Sequence, residues 1–323
     1  MWIGISFALA AGLMWGLVFV APVMLADYPP LMLTIGRYLA FGLIALPLGW
    51  ADSRQLRLLS RFDWLQALRL SLIGNFLYYL LLSSAIQMAG APLPTVIIGT
   101  LPVVIAICAN LRSHTPLPWP KLLPSLGLIA LGIGCVNQDE LRQLLQANSG
   151  SDAAALRSYG LGALLALGAV ACWTWYPIRN ADWLQAHPEA SPRVWATAQG
   201  LMTLPVAMLG LGLLYLSQTL GWPLLGADFQ LPLGPRALDY IGLMLAVGLF
   251  SSWLGTLCWN EASQRLPTSL VGQLIVFESL AALAYAFMLR GQWPSLLTIA
   301  GIALLLAGVI WALRDGASRR PAN

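Results

Sequence analysis

Ten apolar runs joined by short polar links constrain this chain more than anything else in its sequence. They occupy residues 3–25, 31–50, 64–88, 93–111, 119–136, 159–178, 194–216, 238–259, 269–289 and 296–313. A hydrocarbon core about 30 Å thick needs roughly 20 apolar residues per helix, because backbone polar groups inside it must be satisfied within the span. The runs predict an all-α integral membrane protein with ten transmembrane helices. Membrane barrels would show short segments of alternating polarity instead, and none occur. With 9% charged and 59% hydrophobic residues, the chain is neither a soluble domain, which carries about 25% charge, nor a disordered one.

Basic residues set the expected orientation. With the N-terminus in the cytoplasm, the inner loops and tail hold Arg54, Arg57, Arg61, Arg112, Lys121, Arg179, Arg193, Arg265, Arg314, Arg319 and Arg320. The outer side holds Arg142, Arg157, Arg236 and Arg290. Lys and Arg accumulate on the cytoplasmic side, so both termini are expected there. The net charge of +4 is then a topology signal, and no nucleic acid is expected as a partner. The N-terminal segment lacks the basic stretch of a signal peptide and reads as a retained first helix. Cys108, Cys135, Cys172 and Cys258 show no C-x-x-C spacing, so neither a disulfide framework nor a zinc site is indicated, and no cofactor is implied. Trp2, Trp50, Trp64, Trp119, Trp222 and Trp293 lie near span ends as an interfacial belt, and segment 218–236 reads as lying at the outer interface.

The two halves of the chain share a pattern. Trp119-Pro120, followed by Leu122-Leu123, Gly127 and Gly134, recurs in the same register as Trp293-Pro294, Leu296-Leu297, Gly301 and Gly308. Ala85, Gln87 and Leu93 likewise match Ala262, Gln264 and Leu270 in register, and Trp15 matches Trp173. Five spans per half turn the second half upside down relative to the first, an inverted repeat. The expected units are residues 1–136, an outer linker at 137–158, residues 159–313 and a basic cytoplasmic tail at 314–323. Such folds place a substrate site near the midplane between the halves and open it alternately to each side.

These halves, with Trp15 in the first span, Gly36-Arg37-Tyr38 in the second, the stretch 85–102 and its counterpart 262–279, resemble the EamA-type transporters of the drug/metabolite transporter superfamily. The resemblance covers nearly the whole chain. Trp259-Asn260 is similar to the branch that includes aromatic amino-acid exporters. The family often has Glu-Pro in its ninth helix, where this chain has Glu278-Ser279. It often has an acidic residue after the fourth and ninth helices, where this chain has Ser113-His114 and Arg290-Gly291-Gln292. The ion coupling that the resemblance implies is therefore not carried over.

Two charges stand deep inside the predicted hydrocarbon, whereas Arg69 lies near the inner end of the third span, where its side chain can reach solvent. Glu278 lies near the middle of the ninth span, where an ionised carboxylate costs several kcal/mol without a partner. It reads either as a holder of a substrate ammonium or proton, or as a neutral acid bonded to a hydroxyl. Arg37 lies about two turns into the second span, suited to a substrate carboxylate or to capping outer carbonyls. Their depths differ by roughly 6 Å on a helical rise of 1.5 Å per residue, so the two are candidates to pair. Polar and aromatic residues at mid-depth complete the candidate substrate site: Trp15, Arg37, Asn75, Tyr78, Tyr79, Thr100, Trp173, Trp175, Trp253, Gln273 and Glu278. The fifth and tenth spans carry almost none, and their glycines suit close peripheral packing. Pro92, Pro94, Pro102, Pro205 and Pro267 offer breaks or kinks.

A cavity walled by Trp and Tyr with few charged groups suits solutes with a flat or apolar body and a charged head. The expected function is a secondary transporter of the cell (inner or plasma) membrane that exports small amphiphilic metabolites, amino acids foremost, by alternating access. Its partners are the solute, membrane lipid and, through Glu278, protons; the expected form is a monomer, with a dimer as the alternative. A lipid-carrier flippase or nucleotide-sugar carrier of the same fold stays open, although phosphate calls for more basic residues than Arg37 alone. A membrane enzyme acting on lipid is the third reading, without an H-E-x-x-H motif to support it.

Overall fold

The computed structural model describes residues 1–89, 92–112, 118–138, 153–221, 225, 229–291 and 293–317, and among them there is no strand. α1 (Trp2–Gly16) runs through a 3₁₀ turn, Leu17–Phe19, into a short helix, Val20–Met24. α2 (Pro30–Ala51), α3 (Arg61–Ala89), α4 (Pro92–Gly99), α5 (Leu101–Arg112) and α6 (Trp119–Val136) follow. The rest of the chain forms α7 (Ala153–Ala186), α8 (Pro192–Thr219), α9 (Ala237–Arg265), α10 (Thr268–Leu274), α11 (Val276–Arg290) and α12 (Leu296–Ala317). Most of the expected linker and tail, together with Ser113, His114, Trp222 and Gln292, lies outside the described residues. Among the described residues, seven helical stretches are long and apolar enough to cross a membrane. Leu101–Arg112, Leu270–Tyr285 and Leu296–Ala312 are shorter apolar helices.

The fourth and ninth predicted spans are each broken in two. α4 ends at Gly99 and α5 begins at Leu101, with Pro102 in its first turn. Pro lacks an N–H and disfavours helical geometry in the residue before it, so it belongs at a helix start and not in the interior. The second break falls at Ile275, where Glu278 N reaches back only three residues to Ile275 O, at 3.0 Å. Neither Pro nor Gly marks that position.

α3 and α9 each contain an eight-residue π-helical stretch, Leu70–Leu77 and Val247–Leu254. Such turns are rare and concentrate at functional sites. The two stretches are in register with each other, Leu70 preceding Val247 by the same interval that separates Ala85 from Ala262. Each buries small residues: Ser71, Gly74 and Asn75 in the first, Gly248, Ser251 and Ser252 in the second. Each also leans on the other half of the chain. Ser71 Oγ donates to Gln199 O of α8 at 2.8 Å, and Ser251 Oγ donates to Met14 O of α1 at 2.6 Å.

Glycine governs two of the close packings. Gly4, Ala8, Gly12 and Gly16 recur every four residues and share one face of α1. A Cβ at Gly12 would lie 2.8 Å from Phe277 Cβ, and one at Gly16 2.7 Å from Ala281 Cβ, so no side chain fits between α1 and α11. α6 and α12 run antiparallel, with Gly132 opposite Gly301 and Ser125 opposite Gly308, whose carbonyl accepts from Ser125 Oγ at 2.8 Å. In lipid no hydrophobic gain draws helices together, so van der Waals contact of this closeness is what holds the pair.

Candidate functional site

Aromatic rings meet where α1, α3, α7 and α9 converge. Trp173 stacks on both Tyr78 and Tyr176, with centroids 4.6 and 5.1 Å away. Trp15 meets Trp173 edge-on at 5.2 Å and Trp259 at 4.9 Å. All five rings are buried. The indole N–H groups of Trp173 and Trp259 have no hydrogen-bond partner among the described residues. An unmet buried donor costs about 1–3 kcal/mol, which a cluster built only for packing would avoid by using phenylalanine.

Arg37 lies beside this cluster, buried in α2. Its Nε donates to Ser252 Oγ at 3.0 Å, and its guanidinium carbon sits 5.0 and 4.9 Å from the ring centroids of Tyr38 and Tyr79. Cation–π contacts of this kind contribute about 0.5–2 kcal/mol each, more when desolvated. Arg37 Nη1 is buried without a partner among the described residues. No ion pair among the described residues includes Arg37.

Glu278 is the second buried charge, in the first turn of α11 just past the break. A helix N-terminus carries partial positive charge and favours a carboxylate there. α1 passes so close that a Cβ at Gly12 would lie 3.0 Å from Glu278 N. The Trp173 indole is directed at the carboxyl without meeting it in hydrogen-bond geometry, and Arg37 is within electrostatic reach. The candidate Arg37–Glu278 ion pair is not formed among the described residues, and Arg37 Nε bonds Ser252 Oγ.

The other expected site residues divide. Asn75 is buried in the π-helical stretch of α3, and its Nδ2 has no partner among the described residues. Trp253 is half-buried and donates to Thr197 Oγ1 at 3.2 Å, and Trp175 is half-buried against the core. Gln273 is buried but faces α6, where its Oε1 accepts from Ser125 Oγ at 2.7 Å. Thr100 is exposed at the break between α4 and α5, with its hydroxyl donating to Ile97 O at 2.7 Å, apart from the ring cluster.

A neutral network below the rings was not anticipated from the sequence. Asn180 Oδ1 accepts from Trp195 Nε1 at 2.9 Å and Gln199 Nε2 at 3.1 Å, while Asn180 Nδ2 donates to Asn260 Oδ1 at 2.8 Å. Tyr176 OH donates to Gln199 Oε1 at 2.9 Å. Helical spacing held the clue. Trp173, Tyr176 and Asn180 share a face of α7, Trp195 and Gln199 one of α8, and Ser252, Thr256 and Asn260 follow at intervals of four in α9.

Both ends of the bundle are clasped. At the N-terminal end, Arg193 makes a two-pronged pair with Asp52 at 2.7 and 3.0 Å and Arg112 meets Asp182 at 3.2 Å, while Arg265 pairs with Glu261 one turn away within α9. Asp63, Trp183, His187 and Trp195 line a cavity of about 350 Å³ there. At the opposite end, Arg236 grips Asp27 and donates to Met24 O at 2.8 Å. Tyr28 stacks on Tyr240 at 4.9 Å and donates to Leu233 O at 2.6 Å. Gly234, at φ +66°, closes the turn over Tyr28, where a Cβ would lie 2.7 Å from the ring. The hydrogen bond from Arg236 holds the Asp27 carboxyl below its ordinary range.

With this arrangement established, residues 2–138 match the EamA-like transporter family. The chain is also 50% identical, over 314 residues, to the inner membrane protein YtfF of Escherichia coli (strain K12), covering 96% of this chain and 95% of that protein. The chain belongs to the EamA-like transporter family. A crystal structure of a further protein superposes with a TM-score of 0.70, covering 97% of this chain and 98% of that one at 17% identity, which shows a shared fold. This EamA-like chain is thus a multi-pass membrane protein of a transporter family.

Proposed function

We propose that the protein is a secondary transporter that exports small amphiphilic metabolites, amino acids foremost, from the cytoplasm by alternating access. One observation carries this reading: two buried ionisable side chains able to carry opposite charge, Arg37 and Glu278, lie beside an aromatic cluster without forming an ion pair with each other. A zwitterion suits two such groups. Its ammonium would meet Glu278, its carboxylate Arg37, and its apolar body the faces of Trp15, Trp173 and Tyr78. Glu278, at the start of a half-helix, also has the place of a group that exchanges a proton during the cycle.

The two-repeat architecture of ten spans is part of the same proposal. The π-helical stretches, paired in the register of the sequence repeat, support it, as do the two broken helices and the cross-half contacts of Ser71 and Ser251. The concentration of basic residues at the end that holds the N-terminus supports cytoplasmic termini. Counterflow in liposomes reconstituted with the protein is the test, run with amino acids, polyamines and nucleotide sugars, with and without a proton gradient. Amino-acid exchange is the expected result. Exchange of nucleotide sugars alone, or chemical modification of a lipid, would replace this reading.

A further inference from the structure

Arg37 is a buried cation that forms no ion pair among the described residues, although Glu278 lies within electrostatic reach. Ser252 Oγ takes its Nε at 3.0 Å, Tyr38 and Tyr79 offer their ring faces, and Nη1 is buried without a partner among the described residues. One hydroxyl and two rings replace the hydration of a guanidinium poorly, so a buried cation left in this state is costly until an anion arrives. A purely structural tie between α2 and α9 would need no charge, since Gln or Asn would serve.

The guanidinium is a rigid planar fork, so fixing Nε fixes the direction in which both terminal nitrogens point. Ser252 is placed to do this by the π-helical stretch of α9. Its counterpart in the first half, in the register of the repeat, is Asn75 in the π-helical stretch of α3, whose Nδ2 is also buried without a partner among the described residues. We propose that Ser252 is a positioning residue that orients Arg37 to receive the anionic group of the transported solute, which makes a carboxylate a requirement for recognition. This rests on the transporter reading above and adds which part of the solute meets which residue.

The test uses the full-length protein in detergent, with thermal unfolding as the binding readout and L-phenylalanine, L-phenylalaninamide and 3-phenylpropionate as probes. The two carboxylates are expected to raise the unfolding temperature, and the amide is not. Ser252→Ala is expected to raise the half-saturating concentration of phenylalanine about tenfold, the scale of one hydrogen bond to a charged group. Ser252→Thr, which keeps the hydroxyl, is expected to restore most of it. Arg37→Lys keeps the charge but loses the fork, and it carries the same test if Ser252→Ala does not fold.

An amide that binds as well as the acid would overturn the proposal. So would an unchanged affinity in Ser252→Ala, or no response to either carboxylate. Binding of 3-phenylpropionate without phenylalanine would keep the anion site and remove the amino-acid reading. Amino-acid counterflow that survives Ser252→Ala with unchanged half-saturation would keep the transporter reading and remove this one.

Discussion

Charges at the ends of the bundle and charges at its centre are treated in opposite ways. At the ends, where water screens them, Arg193 meets Asp52, Arg112 meets Asp182 and Arg236 meets Asp27. At the centre, where nothing screens them, Arg37 and Glu278 are not joined in an ion pair. If stability alone were at stake the order would be reversed, because exposed pairs contribute about 0–1 kcal/mol whereas an uncompensated buried charge costs about 3–5 kcal/mol. The difference separates devices that hold a conformation from groups kept available for a solute.

The largest effect should come from the centre. Arg37→Gln and Glu278→Gln keep shape and remove charge, and each is expected to lower counterflow about a hundredfold or more, the scale of breaking a buried charge interaction. Glu278→Gln should also flatten the pH dependence of transport. Loss of transport with that dependence retained would assign the proton to another group.

The neutral network sharpens the contrast, since it is equally buried but internally satisfied. Asn180→Ala strips partners from Trp195, Gln199 and Asn260. It is expected to cost about 1–3 kcal/mol in thermal unfolding while leaving the acid-over-amide preference intact. A change in preference without a change in stability would move Asn180 into the solute site.

Opening an end clasp should do least. Arg193→Gln is expected to change stability by less than about 1 kcal/mol and to alter the transport rate severalfold, with the difference shrinking at high salt. For the opposite clasp the pH direction is set by Asp27. Its carboxyl is depressed below the ordinary 3.8 in the folded protein by the bond from Arg236, so its contribution is present above that value and is lost as pH falls through the depressed one. Acid titration of Asp27→Asn should lack this small transition.

Much of the fold was legible in the sequence because lipid imposes a simple rule. Residues 119–136 were delimited to the residue, and Trp2, Trp50 and Trp293 do lie exposed at helix ends. The break before Pro102 was also legible, since Pro cannot continue a hydrogen-bonded turn. The break at Ile275 was not, because no residue type announces it. Of the candidate site residues, Trp15, Tyr78 and Trp173 pack against one another, whereas Thr100 and Gln273 stand apart from them. The glycine pattern shows the same limit. Gly127 and Gly301 are matched in sequence, yet Gly301 is pressed against α6 while Gly127 has open space around it among the described residues.

By itself the sequence determined that this is a bundle of membrane helices with two costly charges, Arg37 and Glu278, because hydrocarbon penalises every polar group whatever its neighbours. Only the tertiary structure decided that those charges do not meet. In the fold Ser252 reaches Arg37 across 215 residues of chain, and Gly12 lets α1 close over Glu278. Depth in a membrane follows from local composition, but partnership follows from packing.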